Sequence, residues 1–125
     1  MDKNEYIKFL QKLNLPKNEY IILSGGSLLM RGIRKTTADL DLCISDKLAE
    51  QIDLYHMPKD EKGFYCPCKN VQMMNNYNNF KFDIVDGYQC ETLKSILDFK
   101  RQMSRPKDLV DIAKIEEFLR NNPTA

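Results

Sequence analysis

With 125 residues the chain is long enough to bury a core as one domain and too short for two, so a single domain over residues 1–125 is expected. Nineteen Lys and Arg against eighteen Asp and Glu leave a formal charge of +1, and no overall field marks a nucleic-acid binder. The longest unbroken apolar run, Tyr20 to Leu23, is far too short for a membrane-spanning helix, and the polar start MDKNEYIKF lacks the basic and apolar regions of a signal peptide, which makes the cytoplasm the expected location.

Asn4 is a candidate cap for a first helix in which Tyr6, Ile7, Leu10 and Leu13 recur at helical spacing, with Pro16 beyond its end. Tyr20 to Leu23 reads as a short buried strand closed by a glycine pair. Leu28, Leu29 and Met30 suit a short helix after Ser27, ended by Gly32. Asp39 to Ile44 alternates strictly and reads as a second strand, after which Ser45 or Asp46 caps a helix to about Ile52. From Asp53 to Asn79 the pattern is weakest: Phe64 to Cys66 and Val71 to Met74 are candidate strands, and Asn75 to Asn79 is turn-like and expected to be exposed. Phe80 to Val85 alternates as a strand. Two helices close the chain, Thr92 to about Gln102 and Pro106 to about Asn121, the latter with Pro106 in its first turn and a core-facing stripe of Leu109, Ile112, Ile115, Phe118 and Leu119.

Four cysteines, Cys43, Cys66, Cys68 and Cys90, are expected as reduced thiols in a cytosolic protein. A zinc site would require Cys66, Cys68, Cys90 and His56 to converge, and Cys66-Pro67-Cys68 lacks the usual two-residue ligand spacing. The segment Lys100 to Lys107 carries four cations and no acid. Read alone, it is a solvated helix end and loop.

The chemistry concentrates in Ser24-Gly25-Gly26-Ser27 and in Asp39-Leu40-Asp41-Leu42. Side chains two apart on a strand share a face, so Asp39 and Asp41 stand together opposite Leu40 and Leu42. Two carboxylates at that range repel unless a cation sits between them, and magnesium is commonly held by one or two carboxylates plus substrate phosphates. Asp83 stands opposite Phe82 and Ile84, and it joins the pair if its strand neighbours theirs. The alternative is three acids lining a solvated sheet face. Glycines ahead of a helix let backbone N–H groups approach an anion, and Ser27 offers a hydroxyl to the same phosphate. No lysine follows the glycines as in a P-loop, and no third glycine completes a dinucleotide turn.

The ordered set of an apolar strand, Gly-Gly-Ser, Asp39-Leu40-Asp41-Leu42 and a later strand-borne acid resembles the nucleotidyltransferase superfamily typified by polymerase beta. With GIRKTTADLD and the late Arg105-Pro106-Lys107-Asp108-Leu109-Val110-Asp111-Ile112, it looks like the minimal bacterial members related to abortive-infection toxins. The resemblance covers about Tyr20 to Asp46, Phe80 to Val85 and Lys100 to Leu119. It implies an α/β (α+β) nucleotidyltransferase fold, a small mixed β-sheet flanked by helices. It further implies that Gly25, Gly26 and Ser27 grip a nucleoside triphosphate, that Asp39 and Asp41 hold Mg2+ or Mn2+, and that Asp83 completes the second metal site and helps deprotonate the acceptor. Arg34 and Lys107 would neutralise the triphosphate, with Lys35, Lys100 and Arg105 as further candidates.

The expected activity is transfer of a nucleoside monophosphate from the triphosphate to a hydroxyl on RNA such as tRNA, or on protein, in a toxin–antitoxin or phage-defence setting. Larger transferases append a helical domain for the acceptor, so here the middle loop, a second copy or a partner protein would supply that contact. Two alternatives stand beside it: a catalytically silent, antitoxin-like binding module of the same fold, and an antibiotic nucleotidyltransferase.

Overall fold

The structure is a computed structural model and describes residues 1–123. The chain folds as two compact units, Met1–Glu91 and a second from Thr92 onward.

The first unit is a mixed α/β structure. Strands β1 (Tyr20–Ile22), β2 (Leu40–Ile44), β3 (Val71–Met74), β4 (Phe82–Val85) and β5 (Tyr88–Glu91) form one sheet in the order β3-β2-β1-β5-β4. β1 runs antiparallel to β2 and parallel to β5, β2 and β3 are parallel, and β4 and β5 form an antiparallel hairpin. Helices α1 (Lys3–Leu13), α2 (Ser24–Met30) and α3 (Asp46–Gln51) complete the unit. Alternation divides the sheet: Ile22, Leu40, Leu42, Ile44 and Cys90 enter the main core with Tyr6 and Leu10 of α1, while Ile21, Leu23 and Cys43 form a smaller cluster on the opposite face with Met74, Tyr77 and Phe80. Burying a Leu or Ile side chain as fully as Leu40 or Ile22 contributes about 1.5–3 kcal/mol, and the main core therefore fixes which way β2 faces.

Several boundaries differ from the sequence expectation. Asp2, not Asn4, caps α1: its carboxylate accepts from the Glu5 N–H at 2.9 Å, and the Glu5 carboxylate accepts from the Asp2 N–H at 3.1 Å. β1 ends at Ile22 and α2 starts at Ser24, so the glycine pair lies inside the helix rather than in a loop before it. β2 starts at Leu40, leaving Asp39 just ahead of the strand. Ser45 caps α3 by accepting from the Leu48 N–H at 3.1 Å. Phe64 to Cys66 is no strand; Tyr65 makes isolated bridges to Lys59 and Met73. In the asparagine run Asn76, Asn78 and Asn79 are exposed, whereas Asn75 is half-buried and its amide donates to the Ile44 carbonyl at 2.8 Å. β5 has no counterpart in the expectation. Asp86 and Gly87, at φ 51° and 85°, turn β4 back into it.

In the second unit, α4 (Leu93–Met103) is capped by Thr92, whose hydroxyl oxygen accepts from the Ser95 N–H at 3.2 Å, and α5 (Pro106–Asn121) begins at Pro106. The expected stripe of α5 is corrected at Leu109, which is 57% exposed; the buried positions are Asp108, Asp111 and Ile115. The two acids have an ionic partner rather than an apolar one. Lys100 Nζ stands 3.0 Å from Asp111 Oδ2 and 3.5 Å from Asp108 Oδ1, and Arg105 Nε donates to Asp108 Oδ2 at 2.7 Å. The Arg105 hydrogen bond holds the Asp108 carboxyl down at about 2. The basic segment is thus largely neutralised from within its own unit, since Arg101 also reaches Glu116 at 3.8 Å.

Candidate functional site

The chain passes from β1 into α2 with almost no connection. The Gly26 and Ser27 N–H groups both donate to the Leu23 carbonyl, at 3.1 and 3.5 Å. A Cβ at Gly26 would overlap the Tyr6 hydroxyl and stand 2.7 Å from Ile22 Cγ2, so only glycine lets α1 and α2 pack this closely. A Cβ at Gly25 would stand 2.5 Å from Arg34 Nη1 and 3.2 Å from Thr37 Oγ1, which puts the Arg34 guanidinium against the turn. Ser27 departs from its expected role. It is fully buried, its Oγ donates to the Glu91 carbonyl at 2.8 Å and accepts from Arg31 Nε at 3.4 Å, and its hydroxyl ties α2 to β5 instead of facing a ligand.

Asp41 stands beside this turn, because the Leu23 N–H donates to its carbonyl at 2.9 Å. Leu40 and Leu42 commit to the main core, so Asp41 points to the opposite face with Cys43. Burial raises the Asp41 pKa, and the neighbouring Asp39 charge raises it further; Lys62 opposes and Asp60 adds to the effect. Among the described residues, the buried side-chain polar atoms without a hydrogen-bond partner are Asp41 Oδ1 and Tyr6 Oη. The Tyr6 pKa lies well above the usual phenol range, through burial first and the Asp41 charge second, so its hydroxyl stays protonated. A crowded carboxylate pair with an unsatisfied buried oxygen is a chemical fit for a divalent cation, which would supply the missing partner and cancel the repulsion.

Asp83 does not join the pair. In the hairpin register it sits opposite Cys90, Cys90 lies beside Ile22, and Ile22 lies beside Leu42. That row faces the main core, and Asp41 faces the other way. The Asp83 carboxylate, 56% exposed, instead accepts from Arg31 Nη2 at 3.0 Å. Among the described residues no group of three or more His, Cys, Asp or Glu side chains is gathered to hold a metal ion. This applies equally to Asp39, Asp41 and Asp83 and to His56 with Cys66, Cys68 and Cys90; Cys90 is sealed in the core while Cys68 is exposed. Lys107 is exposed in the first turn of α5, in the second unit.

The acid that shares the face of Asp41 is Glu91. It is 5% exposed, and its charge helps raise the Cys43 pKa. Sequence reasoning passed over Glu91, Arg31 and Tyr6. The Asp86-Gly87 dipeptide was the available signal, since it announces a hairpin and thereby a further strand ending at Glu91. No family model, curated protein or solved structure matches the chain.

Proposed function

We propose that this chain is a metal-dependent nucleotidyltransferase of the polymerase beta-like fold, moving a nucleoside monophosphate from a triphosphate to a hydroxyl on RNA or protein. The observation that carries this reading is the buried, unpartnered Asp41 Oδ1, beside the charge of Asp39, at the edge of the first turn of α2, where Arg34 lies against Gly25. Asp39 and Asp41 would hold Mg2+ or Mn2+, whose part is to neutralise charge on the triphosphate as the transfer proceeds. Gly25 keeps the Arg34 guanidinium close to the turn, where it can pair with phosphate oxygens. The half-buried setting of Asp41 strengthens each of these charge interactions relative to open water.

A second reading is favoured by the Arg31–Asp83 ion pair and by the buried Ser27 hydroxyl. With two acids rather than three, the chain would bind a triphosphate through one metal without turning it over, and act through a partner protein. Purified protein incubated with each labelled triphosphate, Mg2+ or Mn2+, and total bacterial RNA and protein separates the two. Label entering a macromolecule only with intact aspartates, and not with an Asp39→Ala, Asp41→Ala variant, supports transfer. Metal-dependent binding without transfer supports the silent module, and failure to bind any triphosphate refutes both.

A further inference from the structure

Glu91 ends β5 as a buried acid that the transfer chemistry above does not use. Its carboxylate Oε1 accepts from the Ser24 N–H at 2.9 Å. Its carbonyl accepts from Ser27 Oγ at 2.8 Å and from Arg31 Nη2 at 3.2 Å. Residues 24, 27 and 31 recur at helical spacing, so one residue of β5 grips α2 along its length. The grip at Ser24 holds an unfavourable conformation: Ser24 sits at φ 43°, in the left-handed region that residues with a Cβ avoid. A hydrogen bond from a backbone N–H to a buried carboxylate is strong enough to maintain it. Across the sheet, Glu91 and Asp41 flank Leu23 from opposite sides, as the Ile22–Cys90 pairing and the Leu23 to Asp41 hydrogen bond require.

We propose that Glu91 is a positioning residue: acting through Ser24, it sets the path of the chain that carries Leu23, Gly25 and Gly26 past Asp41, and so fixes where a triphosphate meets the site. This rests on the proposed function for its ligand, but its local claim, that Glu91 shapes the first turn of α2, does not. The proposal assigns the role to the carboxylate's acceptor oxygen, which the Ser24 N–H engages. Glutamine keeps that oxygen and alanine removes it. Glycine at position 24 adopts the left-handed conformation without help.

The test uses the whole chain. Binding of a fluorescent triphosphate analogue with Mn2+ is measured for wild type, Glu91→Ala, Glu91→Gln and the double variant Glu91→Ala, Ser24→Gly, at a temperature where melting curves show each folded. Amide NMR spectra of Ser24 to Ser27 are recorded without ligand. Glu91→Ala is expected to move these amides and to weaken binding by about tenfold or more. Glu91→Gln stays within about threefold of wild type, and Ser24→Gly restores most of the loss in the alanine background. Glutamine binding as weakly as alanine would overturn the proposal in favour of a role for charge, and wild-type affinity in the alanine variant would overturn it outright. If wild type itself binds no triphosphate, the proposed function fails. Unchanged Ser24 to Ser27 amides in Glu91→Ala would then overturn the local claim as well.

Discussion

Asp41→Asn is expected to make the ligand-free protein more stable and, on the proposed function, to remove a stabilisation by metal. Oδ1 of Asp41 is buried without a hydrogen-bond partner, and both burial and Asp39 disfavour its charge. An unsatisfied buried polar group costs about 1–3 kcal/mol and a charged one more. Because Asp41 is only partly buried, a gain of about 1 kcal/mol on neutralising it is the conservative figure. With about 2.1 cal/mol/K of unfolding entropy per residue over 125 residues, that raises Tm by about 4 °C.

The pH dependence has a fixed sign. A raised folded-state pKa means that the native protein binds the Asp41 proton more tightly than the unfolded chain, whose carboxyl titrates near 3.8. Wild-type stability therefore falls as pH rises from that ordinary value through the raised one, and the Asn variant escapes the loss. The difference in Tm between the two proteins is largest near neutrality and closes as pH falls toward about 4. On the proposed function, Mn2+ at about 100 times its Kd is expected to stabilise wild type by roughly 2.7 kcal/mol, and the variant by much less. Thermal melts at several pH values, with and without Mn2+, measure both effects. An Asn variant that melts lower than wild type near neutrality, or a difference that grows on acidification, refutes the reasoning.

Gly26→Ala is expected to destabilise strongly, by about 3 kcal/mol or more, because its Cβ would overlap Tyr6 Oη and crowd Ile22; Tyr6→Phe recovers part of that in denaturant titrations and by itself stabilises by about 1 kcal/mol. Asp83→Asn is expected to change stability by less than about 1 kcal/mol, since it breaks an ion pair with a half-exposed carboxylate, and, on the proposed function, to leave metal-dependent triphosphate binding unchanged in parallel titrations. Lys100→Met lowers Tm by about 10 °C or more by leaving Asp111 and Asp108 buried without their shared cation, which differential scanning calorimetry reads directly. In the wild type the Arg105 pairing with Asp108 contributes fully above the ordinary carboxyl pKa of 3.8 and is lost as pH falls through about 2, so carboxyl NMR finds Asp108 protonating late in an acid titration.

Strict alternation made β2 readable, because Leu40, Leu42 and Ile44 are the residues its core face demands. The same alternation at Asp83 established only which residues share its face. Which face that is depends on the hairpin register set at Asp86-Gly87, a relation between strands that no single strand contains. β5 escaped notice because its sequence, Tyr-Gln-Cys-Glu, is polar at alternate positions yet buried at all four. Gln89 is satisfied by donating to the Tyr20 carbonyl at 2.9 Å, and Glu91 by the Ser24 N–H, so burial there runs on hydrogen bonds rather than hydrophobicity. The stripe of α5 failed at Leu109 for a related reason. Its inward face carries Asp108 and Asp111 beside Ile115, and an apolar count scores the two acids as solvent-facing until Lys100 of α4 supplies the opposite charge. Among the site residues, the glycine pair and the two aspartates were visible as a motif. Tyr6 was not, since a buried tyrosine in an amphipathic helix announces only packing.

The distribution of unfavourable features argues for a site more strongly than the motif does. The second unit buries Lys100, Asp108 and Asp111, yet its charges are matched within about a hydrogen-bond length, the pattern of a structure settled for stability. The first unit behaves differently around one turn. Ser24 holds a left-handed conformation with a side chain, Tyr6 Oη and Asp41 Oδ1 lack partners, and Asp39 crowds Asp41. Each costs on the order of 1 kcal/mol or more, and together they are comparable with a large part of a domain's net stability of about 5–15 kcal/mol. Burial alone would be served better by Asn, Phe and Gly at these positions. On the proposed function, keeping Asp41 makes physical sense because a cation would complete the oxygen that the free protein leaves unpaired, and for that reason the Asp41→Asn melting curve is a test of function as well as of stability.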